Sequence, residues 1–481
     1  MASYGVAGSG LLLFSGLLYG PEPTPSWVRQ TPVLHQLRSL PVHRALGMGI
    51  AFAGLALLTW SWWRLRRIVA DRPDGVRRVR QVTALWVIPL LGAPPLFSGD
   101  GWSYVATGYL DGHGLSPYIY PPAVLPGPLS SAVWHGWLFT VSPYGPVPLV
   151  WGGVFSRLTS DPWVLLIAYR LLALGAVGLL AWAVPRLAAR SGRNPADASA
   201  LVLASPLVIA HGVGGLHNDL LMAAVMLCAL VVARREHWAW AAVLAGVAAS
   251  VKAPGGLVAL GVVLLSLHPG ARLSQRLRRT VEVGVLGAGT VVAIGIASGL
   301  GFGWVHGLAV PAHERTLLAP SVYTGHLLDE GLRGLGHLGH VVLTDLHPST
   351  IIRIGAVALL GAVIIGTLVR TRTETIPALR GTALVMLAAT LLSPVLQYWY
   401  FLWCLPLLAC VRLSREQASA AVTAGAVLGL GALADPSLHV DWLDTTVQSA
   451  LILLPPAAAL AAWRRRGDDR PGDPARSLVR S

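Results

Sequence analysis

The chain has 481 residues, of which 54% are hydrophobic and only 12% are charged. A soluble domain carries roughly a quarter charged residues, so this composition excludes an ordinary water-soluble protein. The formal net charge of +14 could indicate nucleic-acid binding, but the basic residues form short clusters between apolar runs. We therefore expect an integral membrane protein that contacts the lipid bilayer and binds no nucleic acid.

Apolar runs recur along the chain, and a helix that crosses a bilayer needs about 20 apolar residues. They predict about fourteen helices, near residues 4–20, 45–63, 82–97, 162–185, 197–212, 219–233, 238–251, 255–267, 280–300, 350–369, 379–393, 398–411, 417–434 and 446–463. The first run lacks a basic n-region, which favours a span over a removed signal peptide. Residues 145–158 are apolar but short and indicate an interfacial helix.

The fold class expected from these runs is all-α, a polytopic transmembrane helical bundle with two long outer loops near residues 98–161 and 301–349. One multi-spanning membrane domain is expected over residues 1–466. Residues 467–481, rich in Arg, Asp and Pro, are typical of a disordered tail, which the topology places in the cytoplasm.

Arginine clusters recur in alternate connections between the predicted spans. They begin at Arg64, Arg186, Arg234, Arg272, Arg370, Arg412 and Arg464. The positive-inside rule makes that side cytoplasmic. Histidines and acidic residues concentrate in the opposite connections, so we expect the working site on the extracytoplasmic face of the cell membrane.

Asp100 follows the third predicted span, with Trp102 and Tyr104 close behind it. A carboxylate at a membrane edge is partly desolvated, which raises its pKa and suits a general base. The two aromatic side chains suit a membrane interface. The alternative is an ordinary capping aspartate in a loop.

Two tyrosines of the same connection lie in segments rich in proline and glycine, Tyr118 in Gly114–Tyr118 and Tyr144 in Ser142–Pro146. Repeated Pro and Gly make a rigid, irregular backbone. Such a surface can hold a sugar ring or a prenyl chain. The alternative is a structured loop without a ligand.

His217, Asn218 and Asp219 form a polar run between two predicted spans. Their side chains offer hydrogen bonds to hydroxyl groups or to phosphate. Three neighbouring residues cannot easily face one ion, which disfavours a metal site. The alternative is a polar turn in which Asp219 caps the next helix.

Lys252 is the single lysine of the chain and lies on the outer side, where the positive-inside rule cannot explain it. A compact ammonium suits a lipid phosphate, although a snorkelling lysine at a helix end is the alternative. Arg315 is one of few outer arginines and could bind an anion. Gln397 lies among aromatic residues, in what is otherwise typical of an aromatic-belt turn.

In their order along the chain, these motifs resemble bacterial GT-C glycosyltransferases, and in particular the actinobacterial polyprenyl-phosphate-mannose-dependent alpha-1,6-mannosyltransferases. The resemblance covers about residues 80 to 465. It rests on Asp100 with Trp102–Tyr104, Gly114–Tyr118, Ser142–Pro146, Gly215–Asp219, Val251–Lys252 and Leu392–Gln397. Gly99 and Gly101 depart from the bulkier neighbours of the family aspartate, and Tyr398 stands where proline is expected.

The resemblance implies an inverting transfer of mannose from polyprenyl-phosphate mannose to a hydroxyl of a mannan or glycolipid acceptor, forming alpha-1,6 linkages. Asp100 would take the acceptor proton, and Lys252 with Arg315 would neutralise the lipid phosphate. His217 and Asp219 would orient sugar hydroxyls. The remaining substrate-binding residues are Tyr104, Tyr118, Tyr144, Asn218 and Gln397. No cofactor and no metal is expected, since protein cations can neutralise the phosphate.

Three alternatives compete with this interpretation. The same fold could use another polyprenyl-phosphate sugar, such as arabinose or glucose. A transporter or flippase would place charges near the bilayer midplane on broken, repeated helices, whereas most ionisable residues here lie at span ends. An assembly scaffold leaves the clustered outer acids and histidines unexplained.

Overall fold

The computed structural model describes residues 2–308, 310, 319–339 and 348–431, and for residues 332–339 it describes the backbone alone. Over these ranges the chain is helical, with irregular connections and no β-strand. Arg315, the predicted span 446–463 and the predicted tail 467–481 lie outside the described residues. The all-α prediction is confirmed.

The α-helices, in chain order, are α1 (Ala2–Tyr19), α2 (Trp27–Gln30), α3 (Pro32–Ser39), α4 (His43–Val69), α5 (Gly75–Val87), α6 (Asp100–Gly112), α7 (Pro128–Ser131), α8 (His135–Leu138), α9 (Pro146–Ser156), α10 (Pro162–Arg190), α11 (Pro195–Leu203), α12 (Asp219–Val232), α13 (Trp238–Val251), α14 (Ala259–Leu265), α15 (Leu273–Ala297), α16 (Trp304–Gly307), α17 (Pro320–Gly339), α18 (Pro348–Arg370), α19 (Thr375–Leu391), α20 (Leu405–Ala409) and α21 (Arg415–Leu430). Short 3-10 helices span Ile88–Gly92, Pro122–Val124, Ala253–Val258 and Tyr398–Trp403, and a π-helix spans Leu207–Gly214.

Within the described residues, five helices are long and apolar enough to cross a bilayer, namely α1, α4, α10, α15 and α18. The pair formed by α11 and the π-helix is bent by 45° and makes a sixth if it is one span. Other predicted spans form shorter helices, such as α12 and α13. The polytopic prediction is confirmed, whereas the count of about fourteen spans stays a prediction.

The first long connection carries helices of its own. The predicted interfacial helix at 145–158 coincides with α9. Helix α6 was not expected, because its sequence is rich in glycine and aromatic residues that have weak helix propensity. It forms because most of its residues are buried, with α6 packed along α9. Asp100 is therefore the first residue of a buried helix and not part of a loop.

Helix α12 lies at the centre of the bundle. Its residues from Asp219 to Val231 are all buried, as expected for a helix that is apolar all round. It packs against α10, α13 and the 3-10 helix Tyr398–Trp403. The innermost helix therefore places a carboxylate, Asp219, where several connections meet.

Connections that the topology assigns to the same side contact one another. In the arginine-rich set, Arg66 lies 3.0 Å from Asp197 and Arg412 donates to the carbonyl of Gly192. The opposite set includes the connections that carry Asp100 and His217, which also meet. These contacts agree with the alternating topology, which stays a prediction.

Candidate active site

The carboxylate of Asp100 is the centre of a buried hydrogen-bond cluster, with only 5% of the residue exposed. Its Oδ1 accepts from the indole Nε1 of Trp137 at 2.8 Å. Its Oδ2 accepts from the hydroxyls of Tyr104 at 3.0 Å and Tyr144 at 3.1 Å. Three neutral donors therefore hold the carboxylate in one orientation.

The backbone around Asp100 is packed too closely for larger neighbours. A Cβ atom at Gly99 would lie 2.4 Å from Cβ of Trp134, and one at Gly101 would lie 2.5 Å from Cγ of Pro95. Both distances are shorter than side-chain contacts allow. The packing of this chain therefore requires glycine at both positions.

His217 also lies next to the Asp100 carboxylate, with Nδ1 3.4 Å from Oδ2. Its ring stacks on Trp399 with centroids 3.8 Å apart and an interplanar angle of 11°. Among the described residues neither ring nitrogen has an aligned hydrogen-bond partner. The stacking fixes the ring plane, with Nδ1 facing the Asp100 carboxylate and Nε2 without a hydrogen-bond partner in the described part of the chain.

A second buried cluster is formed by Asp219 and Lys252. Asp219 Oδ1 accepts from Lys252 Nζ at 2.8 Å and from Trp403 Nε1 at 2.5 Å. The ammonium lies 4.3 Å from the ring centroid of Tyr400, within cation–π range. The side chain of Lys252 is only 13% exposed, so it does not snorkel into solvent.

Tyr144 connects the two clusters. Its hydroxyl donates to Asp100, and its ring centroid lies 5.7 Å from Lys252 Nζ. The next residue, Gly145, donates its amide to the carbonyl of Val251 at 3.1 Å. Tyr118 donates its hydroxyl to the carbonyl of Tyr144 at 2.9 Å and so supports this loop without reaching Asp100.

The charges in the site differ from the sequence-based expectation. Burial acts to raise the pKa of Asp100, but contact with His217, the charge of Lys252 and the hydrogen bond from Tyr104 outweigh it and lower that pKa to about 2. The expected rise of the Asp100 pKa is therefore wrong. The reason is that the buried Asp100 carboxylate is surrounded by hydrogen-bond donors and positive charge, which stabilise its ionised form.

The neighbouring groups keep their protons. Burial and the charge of Asp100 both raise the pKa of Tyr104 and of Tyr144 well above the ordinary tyrosine value. Burial acts to lower the pKa of Lys252, but the charge of Asp219 outweighs this and raises it. The site thus holds an ionised acceptor, neutral hydroxyl donors and a cation.

Several buried polar atoms of the site have no hydrogen-bond partner within the described part of the chain. They are the ring nitrogens of His217, Nδ2 of Asn218, Oδ2 of Asp219, Oε1 of Gln397 and Nε1 of Trp399. An unsatisfied buried polar group costs roughly 1–3 kcal/mol. They include both hydrogen-bond donors and hydrogen-bond acceptors.

Most of the predicted site residues meet in this region. Asp100, Tyr104, Tyr144, His217, Asp219 and Lys252 form one continuous set of contacts. Asn218 and Gln397 contribute buried polar atoms next to that set. Tyr118 acts on the backbone of Tyr144.

Sequence reasoning missed three tryptophans. Trp399 lies in the segment Leu392–Tyr400, where an aromatic-belt turn was the alternative to a binding site at Gln397, and Trp403 lies just beyond that segment. Trp137 lies on the four-residue helix α8 and follows no recognisable motif. In the described ranges, no group of three or more His, Cys, Asp or Glu side chains is placed to hold a metal ion.

Comparison with known proteins identifies the family. The family described as "Alpha-(1->6)-mannopyranosyltransferase, N-terminal domain" matches residues 2–268, and the one described as "MptB C-terminal domain" matches residues 334–462. The first match contains both clusters of the site except for Trp399, Tyr400 and Trp403. No solved structure matches the chain.

Two relatives illustrate the similarity. A probable alpha-(1->6)-mannopyranosyltransferase of Mycolicibacterium smegmatis is 30% identical over 445 residues, covering 83% of this chain and 77% of the relative. Alpha-(1->6)-mannopyranosyltransferase A of Mycobacterium tuberculosis is 28% identical over 493 residues, covering 98% of this chain and 91% of the relative. The resemblance seen in the sequence is thus confirmed, and the chain belongs to the actinobacterial alpha-1,6-mannosyltransferase family, a family of glycosyltransferases.

Proposed function

We propose that the chain transfers mannose from polyprenyl-phosphate mannose to a hydroxyl of a mannan or glycolipid acceptor, forming alpha-1,6 linkages with inversion at the anomeric carbon. The observation that carries this proposal is the pairing of an ionised carboxylate with a cation across Tyr144. Asp100 is placed to accept the proton of the acceptor hydroxyl, and Lys252 is placed to stabilise the negative charge of the departing phosphate. The names of the relatives support the sugar and the linkage.

Asp100 is the proposed catalytic base. The acceptor hydroxyl would approach Oδ2 and displace one of its tyrosine donors. As the acceptor oxygen bonds to the anomeric carbon, its proton passes to Asp100, and the bond from that carbon to the phosphate oxygen breaks. The bonding electrons leave with the polyprenyl phosphate. The acceptor proton becomes more acidic as the new bond forms, so a carboxylate of low pKa can still accept it.

Lys252 is the proposed partner of the departing phosphate. An ammonium has three donors, and in the described part of the chain one is directed to Oδ1 of Asp219, with Tyr400 also close by. The remaining donors can bind a phosphate oxygen, and the charge stabilises the negative charge that develops on the leaving group. A contribution from Arg315, which lies outside the described residues, stays a prediction.

The unpartnered atoms would bind the sugar hydroxyls. Asp219 Oδ2 and Gln397 Oε1 are acceptors, whereas Asn218 Nδ2 and Trp399 Nε1 are donors. A sugar hydroxyl can donate a hydrogen bond to the acceptors and accept one from the donors. The stacked rings of His217 and Trp399 provide a flat aromatic surface next to these atoms.

The site is proposed to face the extracytoplasmic side of the cell membrane. The arginine-rich connections belong to the cytoplasmic side by the positive-inside rule. The connections that carry Asp100, His217 and Lys252 alternate with them along the chain. This orientation would give the site access to a polyprenyl-phosphate donor in the outer leaflet.

The donor is tested with purified, lipid-reconstituted protein and a set of labelled donors. These are polyprenyl-phosphate mannose, the corresponding arabinose and glucose lipids, and a nucleotide-activated mannose. We expect transfer to short mannosides from the mannose lipid alone, with an alpha-1,6 product whose anomeric configuration is opposite to that of the donor. Transfer from the nucleotide sugar only, or retention of configuration, contradicts the proposal.

A further inference from the structure

Arg170 lies inside helix α10 and is 1% exposed. It forms no ion pair with any carboxylate in the described part of the chain, which sets it apart from Arg66 and Arg193. Removing a guanidinium from water costs several kcal/mol unless its surroundings compensate. Such a residue therefore needs polar partners inside the protein that compensate for the lost water.

The partners of Arg170 are backbone carbonyls. Its Nη1 donates to the carbonyls of Val213 and Gly214, the latter at 3.0 Å, and its Nη2 donates to the carbonyl of Ala93 at 2.8 Å. Val213 and Gly214 end the π-helix, and Ala93 directly follows the 3-10 helix that starts at Ile88. Final carbonyls of helices lack intrahelical partners and carry partial negative charge. One guanidinium thus caps two helix ends.

The two capped helices lead directly into the site. Beyond the first, Phe97 has φ of 59° and precedes Asp100. Beyond the second, Leu216 has φ of 63° and precedes His217. Large side chains rarely adopt such left-handed conformations, which persist where the surroundings impose them.

A backbone hydrogen bond joins the same two segments. The amide of Leu96 donates to the carbonyl of Gly214 at 3.0 Å, so this carbonyl is shared with Arg170. The guanidinium and this bond together fix where both segments leave their helices. The side chains of Asp100 and His217, which these segments carry, approach each other to 3.4 Å between Oδ2 and Nδ1.

We propose that Arg170 is a positioning residue, which caps both helices and thereby sets Asp100 and His217 at their working separation. It touches no reacting group. Its planar guanidinium donates to carbonyls of two segments at once. The single nitrogen of a lysine is less able to bridge the two segments. The kinetic part of its test rests on the proposed mannosyl transfer, whereas the structural part does not.

The kinetic test compares Arg170→Lys and Arg170→Met with matched changes at Arg186. Arg186 lies on the same helix, is exposed and donates to the carbonyl of Trp182. For Arg170→Lys we expect kcat to fall by up to about 100-fold, the loss that follows a displacement of about 1 Å. The KM for the donor should change little, and the Arg186 variants should keep the parent kinetics.

The pH dependence of kcat/KM distinguishes a loss of positioning from a loss of folded protein. The titratable groups around Asp100 are Tyr104, Tyr144, His217, Asp219, Lys252 and Tyr400. Loosening the contact with His217 removes a stabiliser of the carboxylate, so the acidic limb of kcat/KM should move to higher pH in Arg170→Lys. Unfolding alone lowers the amplitude and leaves the limb in place.

Hydrogen–deuterium exchange gives a readout that needs no activity. In Arg170→Lys, we expect faster exchange in residues 94–100 and 214–218, but not in the Arg186 variants. The proposal is overturned if folded Arg170→Lys keeps parent kcat, acidic limb and exchange, or if its loss is confined to stability. Wild-type protein that transfers no polyprenyl-phosphate sugar rejects the proposed function, while the exchange comparison still decides the role of Arg170.

Discussion

The ammonium of Lys252 lies 2.8 Å from Oδ1 of Asp219, and the carboxylate of this pair is completely shielded from solvent. The single lysine of the chain is therefore held by an acid at the first turn of the central helix, close to the aromatic rings of Tyr400 and Trp403. This arrangement explains why a cation is tolerated there. It also means that each partner depends on the other for stability.

Replacing Lys252 by Met is expected to weaken use of the donor strongly, because the departing phosphate loses its cation. The change also leaves the Asp219 carboxylate buried without a counter-charge, which costs about 3–5 kcal/mol in stability. Donor kinetics and thermal unfolding of the reconstituted variant measure the two effects.

The double variant Lys252→Met with Asp219→Asn separates them. Removing both charges should recover most of the lost stability, while transfer stays low. Donor kinetics equal to those of the parent protein in Lys252→Met would reject the role of the lysine.

Tyr104→Phe removes one hydroxyl that stabilises the ionised form of Asp100. The pKa of Asp100 should therefore rise from about 2 toward its ordinary value, and the acidic limb of kcat/KM should move to higher pH. Tyr169→Phe is the matched control, since this buried tyrosine donates to the carbonyl of Pro148 and not to the site. An acidic limb that stays in place in Tyr104→Phe, or moves equally in both variants, contradicts the arrangement.

The stability of the chain should depend on pH through Asp100. The pKa of this group is lowered in the folded protein from 3.8 to about 2, so its ionised form stabilises the fold fully above pH 3.8. That contribution is lost as the pH falls from there to about 2. The free energy of unfolding of wild type relative to Asp100→Asn should thus decrease over this window. A difference that is constant or grows on acidification is inconsistent with a lowered pKa.

Gln397→Leu removes a buried acceptor that has no partner in the described part of the chain. We expect the melting temperature to stay the same or rise, because an unsatisfied polar atom is replaced by an apolar group. The KM for donor or acceptor should increase, since a sugar hydroxyl loses its acceptor. A lower melting temperature with unchanged KM values would show that Gln397 is structural.

The sequence allowed the helical architecture and the main site residues to be predicted. Long apolar runs correspond directly to helices such as α4 and α10, because hydrophobic length is a local property. Lys252 was recognisable because a lone outer lysine conflicts with ordinary topology. Asp100 and His217 were recognised through their resemblance to family motifs.

Other features depend on contacts that no local pattern encodes. Trp137 reaches Asp100 across 37 positions of the chain, and Trp403 reaches Asp219 across 184. The role of Arg170 could not be predicted from the sequence. The residue lies within an apolar span, and its partners are backbone carbonyls, which leave no mark in the residue pattern. The direction of the Asp100 pKa depends on the donors that surround it, and burial alone predicted the opposite.

The central claim is that Asp100 accepts the proton of the acceptor hydroxyl, and Asp100→Asn tests it most directly. Asn keeps the size of the side chain but removes its charge. Asp111→Asn, at the far end of the same helix, is the matched control. With labelled polyprenyl-phosphate mannose and a short mannoside acceptor, we expect no detectable transfer by folded Asp100→Asn and near-parent turnover by Asp111→Asn. Parent-like turnover by Asp100→Asn would contradict the account.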